Sequence, residues 1–299
     1  MTGISVIIPS YNRAAFLFRA LVSVARQTMR CDEIIVVDDG SIDDTYDCVK
    51  AFSNEYKIPV KYLYQNNKGP AAARNLGIAE AKYSYLAFLD SDDHWKKKKI
   101  ETQYKTLAAN PESTISHTKE CWLRRGKHLN QKKIHQPGNG DIFKHCLQLC
   151  AVGMSTVLVK KELFDTIGLF NEHLRCCEDY DLWLRASSKY LFLLIDTPLT
   201  IKEGGREDQV SYQYRVGMDR LRIAAILDLL KREKLNKEQI KWTLEELQRK
   251  CLVYGRGCVK HKKSQEGEAY LEIVQWAGKC LDANLLQGAL VPENPEILL

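Results

Sequence analysis

The residues best suited to chemistry stand at Asp90-Ser91-Asp92-Asp93, where three carboxylates fall within four positions. Like charges this crowded are costly unless a cation offsets them. They follow an apolar stretch, Tyr85 to Leu89, that reads as a strand. Open α/β sheets bind ligands at the C-terminal ends of parallel strands, and Mg²⁺ or Mn²⁺ suits such a set of hard oxygens. A metal there implies a phosphate-bearing substrate. Comparable clusters occur at Pro9-Ser10-Tyr11-Asn12, at Asp38-Asp39-Gly40-Ser41 and from Lys68-Gly69-Pro70 to Arg74-Asn75, with a later one from Glu178-Asp179 to Arg185.

Alternating strands and helices must position these clusters. Ser5 to Ile8 is a β-branched run ended by Pro9, and a helical pattern follows from Ala14 to Gln27. Glu33 to Val37 is a second strand, followed by a helix carrying Tyr46, Val49 and Phe52 with Asp43 or Asp44 as its cap. Val60 to Tyr64 is a third strand, Ala71 to Ala81 a helix, and Tyr85 to Leu89 the fourth strand. Fully apolar strands alternating with amphipathic helices imply a mostly parallel sheet with helices on both faces. The strand ends then share one edge of the sheet, where clusters distant in sequence converge.

After Lys96 the pattern loosens. Ile100 to Ala109 reads as a helix, Ser113 to Arg125 and Lys127 to Gln136 as strands, and Val152 to Val159 as another strand. Glu162 to Thr166 is a short helix, Glu178 to Ser188 an amphipathic one, and Leu191 to Ile195 a late strand before a glycine-containing loop, Lys202 to Gln209. From about Gly217 strands disappear. Met218 to Lys231, Lys237 to Cys258 and Glu266 to Leu281 are helical, and Leu285 to Leu299 is weakly patterned. The division expected is an α/β domain over residues 1–212, with halves 1–95 and 96–212, and a helical extension over 213–299.

Composition sets outer bounds. In 299 residues, 45% hydrophobic and 27% charged content is ordinary for a soluble protein, and a net charge of +6 spread along the chain compels neither nucleic-acid nor membrane binding. The ten cysteines form no CxxC pair, and no signal peptide precedes the first strand, which points to free thiols in a reducing cytoplasm. Zinc ligation by His145, Cys146 and Cys150, or by His117 and Cys121, lacks the paired four-ligand spacing of a closed site. No apolar run approaches the roughly 20 residues that span a bilayer.

Taken in order, the five clusters from Pro9 to Arg185 resemble the family 2 glycosyltransferases, inverting enzymes of the GT-A fold, and Gly168-Leu169-Phe170-Asn171-Glu172 also fits that pattern. The resemblance implies an α/β, Rossmann-like GT-A sheet and a nucleotide-diphosphate sugar as donor. Tyr11, with Pro9 and Asn12, would meet the base, and Asp39 would accept its imide N–H, with Asp38 as the alternative. Lys68 and Arg74 would lie at the diphosphate or base, and Asp90 with Ser91 at the ribose. Asp92, with Asp90, would hold the Mg²⁺ or Mn²⁺ that stabilises the departing diphosphate. Asp93 would ligate or only orient its neighbours. Asp179 would take the proton of the acceptor hydroxyl, with Glu178 beside it raising its proton affinity.

The loop Lys202 to Gln209 carries no histidine to reach a metal, so Arg206 is its candidate phosphate contact. Each cluster also has a plain alternative. The Asp38–Ser41 run is a turn and cap, Tyr11 is packing, Arg74 is a surface helix residue, and Asp179 and Asp181 are first-turn helix charges. Lys96 to Lys99 reads as a solvated face, Trp95 as packing under the acidic loop, and Trp183 and Leu184 as core. The absence of a Gln-x-x-Arg-Trp motif after Asp179 argues for single additions over processive synthesis. Expected partners are the sugar nucleotide and a glycan or lipid-linked acceptor, as in surface-polysaccharide assembly. No nucleic acid is expected, nor more than peripheral contact at the inner membrane surface. The C-terminal helices are expected to pack on the catalytic domain or pair two copies. The rival functions are a sugar-phosphate nucleotidyltransferase, which would place a Gly-rich loop where Pro9-Ser10-Tyr11-Asn12-Arg13 stands, and a catalytically silent sugar-nucleotide binder.

Overall fold

A computed structural model of the chain describes residues 1–282 and 291–292. The expectation for Leu285 to Leu299 falls almost entirely outside them. The N-terminal elements alternate: β1 (Ile4–Ser10), α1 (Ala14–Ala25), β2 (Glu33–Asp38), α2 (Thr45–Tyr56), β3 (Lys61–Tyr64), α3 (Pro70–Glu80) and β4 (Tyr85–Phe88). Then come β5 (His94–Trp95), α4 (Lys99–Ala109), β6 (Ile115–Arg124), β7 (Lys127–Leu129), α5 (Phe143–Gln148), β8 (Leu158–Lys160), α6 (Leu163–Ile167), α7 (Glu178–Ser187) and β9 (Phe192–Gly204). Helices α8 (Val210–Gln213), α9 (Met218–Arg232), α10 (Lys237–Lys260) and α11 (Ser264–Asp282) follow.

One mixed sheet runs in the order β3-β2-β1-β4-β8-β6-β9-β5, with β7 paired to β6. Strands β3, β2, β1 and β4 are mutually parallel, and β8 runs against both β4 and β6. Side chains alternate between two cores. Val6, Ile8, Ile34 and Val36 pack with Leu17, Leu21, Phe52 and Leu107 from α1, α2 and α4. Ile7, Ile35, Val37 and Phe88 face the other way, with Ile78 of α3, Trp183 of α7 and Ile226 of α9. Covering both faces removes any call for polar alternation, which is why the strands read as continuous apolar runs. Gly77 of α3 lets that helix approach β1, since a Cβ there would lie 2.4 Å from Ile7 Cγ2.

The C-terminal helices belong to that second core. Leu221, Ile223, Leu247, Tyr270 and Ile273 join the cluster that holds Tyr180 and Trp183. Helix α10 starts at a capping box, in which Asn236 accepts from Gln239 N–H and the Gln239 side chain accepts from Asn236 N–H. Among the described residues no helix is long and apolar enough to cross a membrane.

Four expectations need correction. The second strand of the hairpin after β6 ends at Leu129, short of Gln136, and a 3₁₀ turn over Lys133–His135 replaces the rest. The strand expected over Val152–Val159 is broken by a 3₁₀ turn at Met154–Thr156, whose polar groups serve long-range contacts. The Ser155 hydroxyl donates to Asp93, and the Ser155 carbonyl accepts from Trp95 Nε1 and Thr200 Oγ1. Helix α5 lay in an unassigned stretch. Strand β9 runs on past Ile195 to Gly204 with register shifts opposite Thr118–Glu120, so Lys202 and Glu203 are strand residues.

Candidate active site

The C-terminal ends of β1, β2 and β4 open onto a cleft of about 880 Å³, and residues from all five clusters reach it. Asp39 follows β2, and its carboxylate closes the turn into α3. It accepts from Lys68 N–H and Gly69 N–H, both at 2.8 Å, and from Gln65 Nε2 at 2.6 Å. Gly69 precedes Pro70 at φ +95°, in the left-handed region that favours glycine. Asp38 turns away from the cleft to Tyr62 and to Ser41 N–H. Tyr11 stands half-exposed on the cleft wall. The Asn12 side chain is engaged by Ile42 N–H at 2.9 Å, and its own N–H donates to Ser41 Oγ.

Arg74 joins the acidic run to the start of α7. Its guanidinium, 5% exposed, donates to Asp90 Oδ1 at 2.8 Å and to Glu178 Oε1 at 2.6 Å, and lies over the Phe170 ring. Burial, reinforced by the charge of Asp179, pushes the Glu178 carboxyl up to about 7 despite Arg74 beside it. Asn75, one position on, bonds both backbone groups of Phe170 and the Glu172 side chain, fastening the Gly168–Glu172 segment to α3.

The acidic run divides three ways. Asp90 faces the cleft beside Arg74. Asp92 is met from above by Arg206, which also stacks on the Phe16 ring, and by Gln209 Nε2 at 3.1 Å. Asp93 is 2% exposed and turned inward, where it accepts from Ser155 Oγ at 2.7 Å; burial raises its carboxyl well above the usual carboxylate range. The segment carrying Arg206 is further held by Arg13 on Asp208 and Arg19 on Glu203.

Asp179 lies in the first turn of α7 and lines the same cleft. Tyr180 N–H donates to its Oδ1 at 2.7 Å and the Cys150 thiol to its Oδ2 at 3.0 Å. Burial first, then the Asp179 charge, lifts the Cys150 thiol well above its ordinary range, so it stays protonated and remains a donor. Lys202 also lines the cleft, kept charged by Glu120 first, then Asp93 and Asp90.

The family model described as "Glycosyl transferase family 2" matches residues 5–159. The chain belongs to that family. A Rickettsia conorii glycosyltransferase of uncharacterised role is 39% identical over 222 residues, covering 73% of this chain and 36% of its own length. The chain thus spans about a third of that relative. TuaG of Bacillus subtilis, named as a glycosyltransferase of teichuronic acid biosynthesis, is 33% identical over 187 residues, 62% of this chain and 72% of TuaG. Among solved structures, Staphylococcus aureus TarS 1–349 with UDP-GlcNAc matches with TM-score 0.64 at 19% identity, over 96% of this chain and 92% of that one. A Pyrobaculum calidifontis mannosyltransferase with GDP-Man and Mn²⁺ matches with TM-score 0.65 at 16% identity, over 97% and 77%. These two likenesses show the fold, which is GT-A-like.

Of the site residues expected from sequence, Pro9, Tyr11, Asn12, Asp39, Arg74, Asp90, Ser91, Asp92 and Asp179 all line the cleft. Lys68 does not. Its side chain is exposed, and only its N–H takes part, on Asp39. Arg206 reaches the site through Asp92. Lys99 corrects the solvated reading of the lysine run, being fully buried, with Nζ on the Val157 carbonyl at 2.9 Å and over the Trp95 ring. Asp181 is 3% exposed and ion-paired with Arg185, more than a first-turn charge. His117 and His145 each give a ring nitrogen to a backbone carbonyl, and no group of three or more metal-ligating side chains gathers among the described residues. Cys150, Lys202, Gln209 and Arg222 line the cleft without having been singled out for it.

Whether a divalent cation suits this site can be judged from the donors. Asp90 and Asp92 present hard oxygens to the cleft, and each has one carboxylate oxygen outside its ion pair. Two carboxylates completed by phosphate and water oxygens is a common arrangement for Mg²⁺-like ions. The residues present fit the ion.

Proposed function

We propose that the chain is a metal-dependent inverting glycosyltransferase that moves a sugar from a nucleotide-diphosphate sugar to a hydroxyl of a saccharide or lipid-linked acceptor. The observation that carries this reading is that Asp90, Asp92 and Asp179 all line one cleft, the Asp179 carboxylate oriented by Cys150 and Tyr180 N–H. Tyr11 stacks on the base. Asp39, its carboxylate held by Lys68 and Gly69 N–H, accepts the imide N–H of the base on a remaining lone pair. Asp90 accepts from the ribose, and Asp92 with Asp90 holds the cation, which when bound offsets charge on the departing diphosphate. Asp179 takes the acceptor proton. Attack from the side opposite the diphosphate inverts the anomeric centre.

Residues 1–212 form the catalytic unit under this reading, and the extension lends Met218 and Arg222 to the cleft wall. TuaG supports a role in cell-surface polysaccharide synthesis. The chain then acts on the cytoplasmic side, at the membrane surface where its acceptor is lipid-linked. Calorimetry with a panel of UDP-, GDP- and dTDP-sugars in Mn²⁺ tests the donor assignment. At least one should bind, and at 100 times its dissociation constant should add about 2.7 kcal/mol of stability. A panel in which nothing binds would overturn it.

A further inference from the structure

We infer that Lys202 is the binding cation for the terminal phosphate of the nucleoside diphosphate. The inference rests on the cleft being the donor site. Of the buried or half-buried Lys and Arg side chains lining the cleft, the others are committed: Arg13 to Asp208, Arg74 to Asp90 and Glu178, Arg222 to Asp219. Arg206, above the cleft, is held by Asp92. Lys202 has no hydrogen bond or ion pair within 4.0 Å among the described residues, and its acidic neighbours act only at longer range. Its side chain is half-buried in the cleft wall, and a charge with reduced hydration and no direct partner carries a cost. A ligand that brings negative charge to it removes that cost.

Its place selects the ligand group. Strand β9 passes beside the acidic run, where Glu203 N–H donates to Asp93 Oδ1 at 3.3 Å, one residue from Lys202. The carboxylates that act on Lys202 are Glu120 first, then Asp93 and Asp90, and it lines the same cleft as Cys150, the thiol that donates to Asp179. Lys202 therefore shares the cleft with the donor carboxylates Asp90 and Asp92 and with Asp179. There the bond between the sugar and the distal phosphate has to sit. Lysine suits a phosphate as a point charge with three donors, needing no fixed fork. Register explains why the sequence hides it: Lys202 pairs with Trp122 along β6 in an extended strand, where a loop was expected.

Calorimetry with UDP, UMP, GDP, GMP, dTDP and dTMP in Mn²⁺ tests the assignment on wild type, Lys202→Met and Lys202→Arg. Charge-assisted contacts of this kind amount to about 10- to 100-fold in affinity. Lys202→Met should lose that factor for the diphosphate and leave the matching monophosphate unchanged, with Lys202→Arg in between. Because the change also uncovers Glu120, Lys202→Met is measured again with Glu120→Gln, and the loss should persist. A diphosphate preference kept by Lys202→Met, an equal loss for mono- and diphosphate, or recovery in the double variant would overturn the assignment alone. A wild type that binds none of the six nucleotides would overturn the donor reading and this inference with it.

Discussion

Replacing Arg74 with Met keeps most of the aliphatic stem and removes the guanidinium that joins Asp90 to Glu178. Both contacts are short, 2.8 and 2.6 Å, and Arg74 and Glu178 are buried. Removing one partner of a buried ion pair costs about 3–5 kcal/mol, because the other charge is left uncompensated. At roughly 2–4 °C per kcal/mol for a chain of this size, the midpoint of thermal unfolding should fall on the order of 10 °C. The deficit should depend on pH. Glu178 is already raised to about 7 in the presence of Arg74, and losing the cation raises it further. A carboxyl raised in the folded state destabilises above its unfolded value, and that penalty fades as pH falls and the folded group takes up its proton. The variant should therefore be more defective at pH 8 than at pH 6, and adding Glu178→Gln should recover stability at pH 8. Urea unfolding followed by tryptophan fluorescence at both pH values measures this. A loss below about 1 kcal/mol at pH 8, against the 3–5 expected for a buried pair, or one that does not change with pH, would refute the buried-pair account.

The remaining predictions concern the segment above Asp92 and the buried His117. Arg206 occupies one carboxylate oxygen of Asp92, and a cation there opposes a second one. Arg206→Ala should bind Mn²⁺ several-fold more tightly in the absence of nucleotide, read from free Mn²⁺ by electron paramagnetic resonance; unchanged or weaker binding would contradict the competition. His117 is fully buried, with Nε2 2.9 Å from the Gly138 carbonyl, and burial pushes its imidazole down to about 4. A histidine lowered in the folded state contributes stability above its unfolded value that is lost as pH falls toward the folded one. Between pH 7 and pH 5 the wild type should lose about 2 kcal/mol more than His117→Gln, from the free-energy equivalent of the shift. Parallel losses in the two proteins would show that His117 is not the cause.

The first four strands were legible because their signals are local. Apolar runs ending in Asp38-Asp39 or Asp90-Ser91-Asp92-Asp93 declare both the strand and the edge where it stops. The clusters then share an edge because the strands are parallel. Asp179 was reachable only through its place in an ordered set of clusters, since nothing near it in sequence marks a base. What stayed hidden depends on tertiary pairing. Lys202 reads as loop because β9 carries Pro198 and shifts register against β6. Cys150 sits in an irregular stretch after α5, and only the fold sets its thiol on Asp179. Lys99 looks like one of four surface lysines, and its burial follows from α4 lying over Trp95 and Val157. The role of Asp93 was open between ligand and support; the Ser155 hydroxyl, from a segment misread as strand, turns it inward.

The most direct test of the central claim is product analysis by ³¹P NMR with whichever sugar nucleotide binds, using water or a glycan panel as acceptor, on wild type and Asp179→Asn. The account requires free nucleoside diphosphate from the wild type, together with a turnover loss of about 10²- to 10⁴-fold in Asp179→Asn. Nucleoside-diphosphate affinity should be unchanged in that variant. Release of pyrophosphate instead, or full turnover by Asp179→Asn, would contradict it.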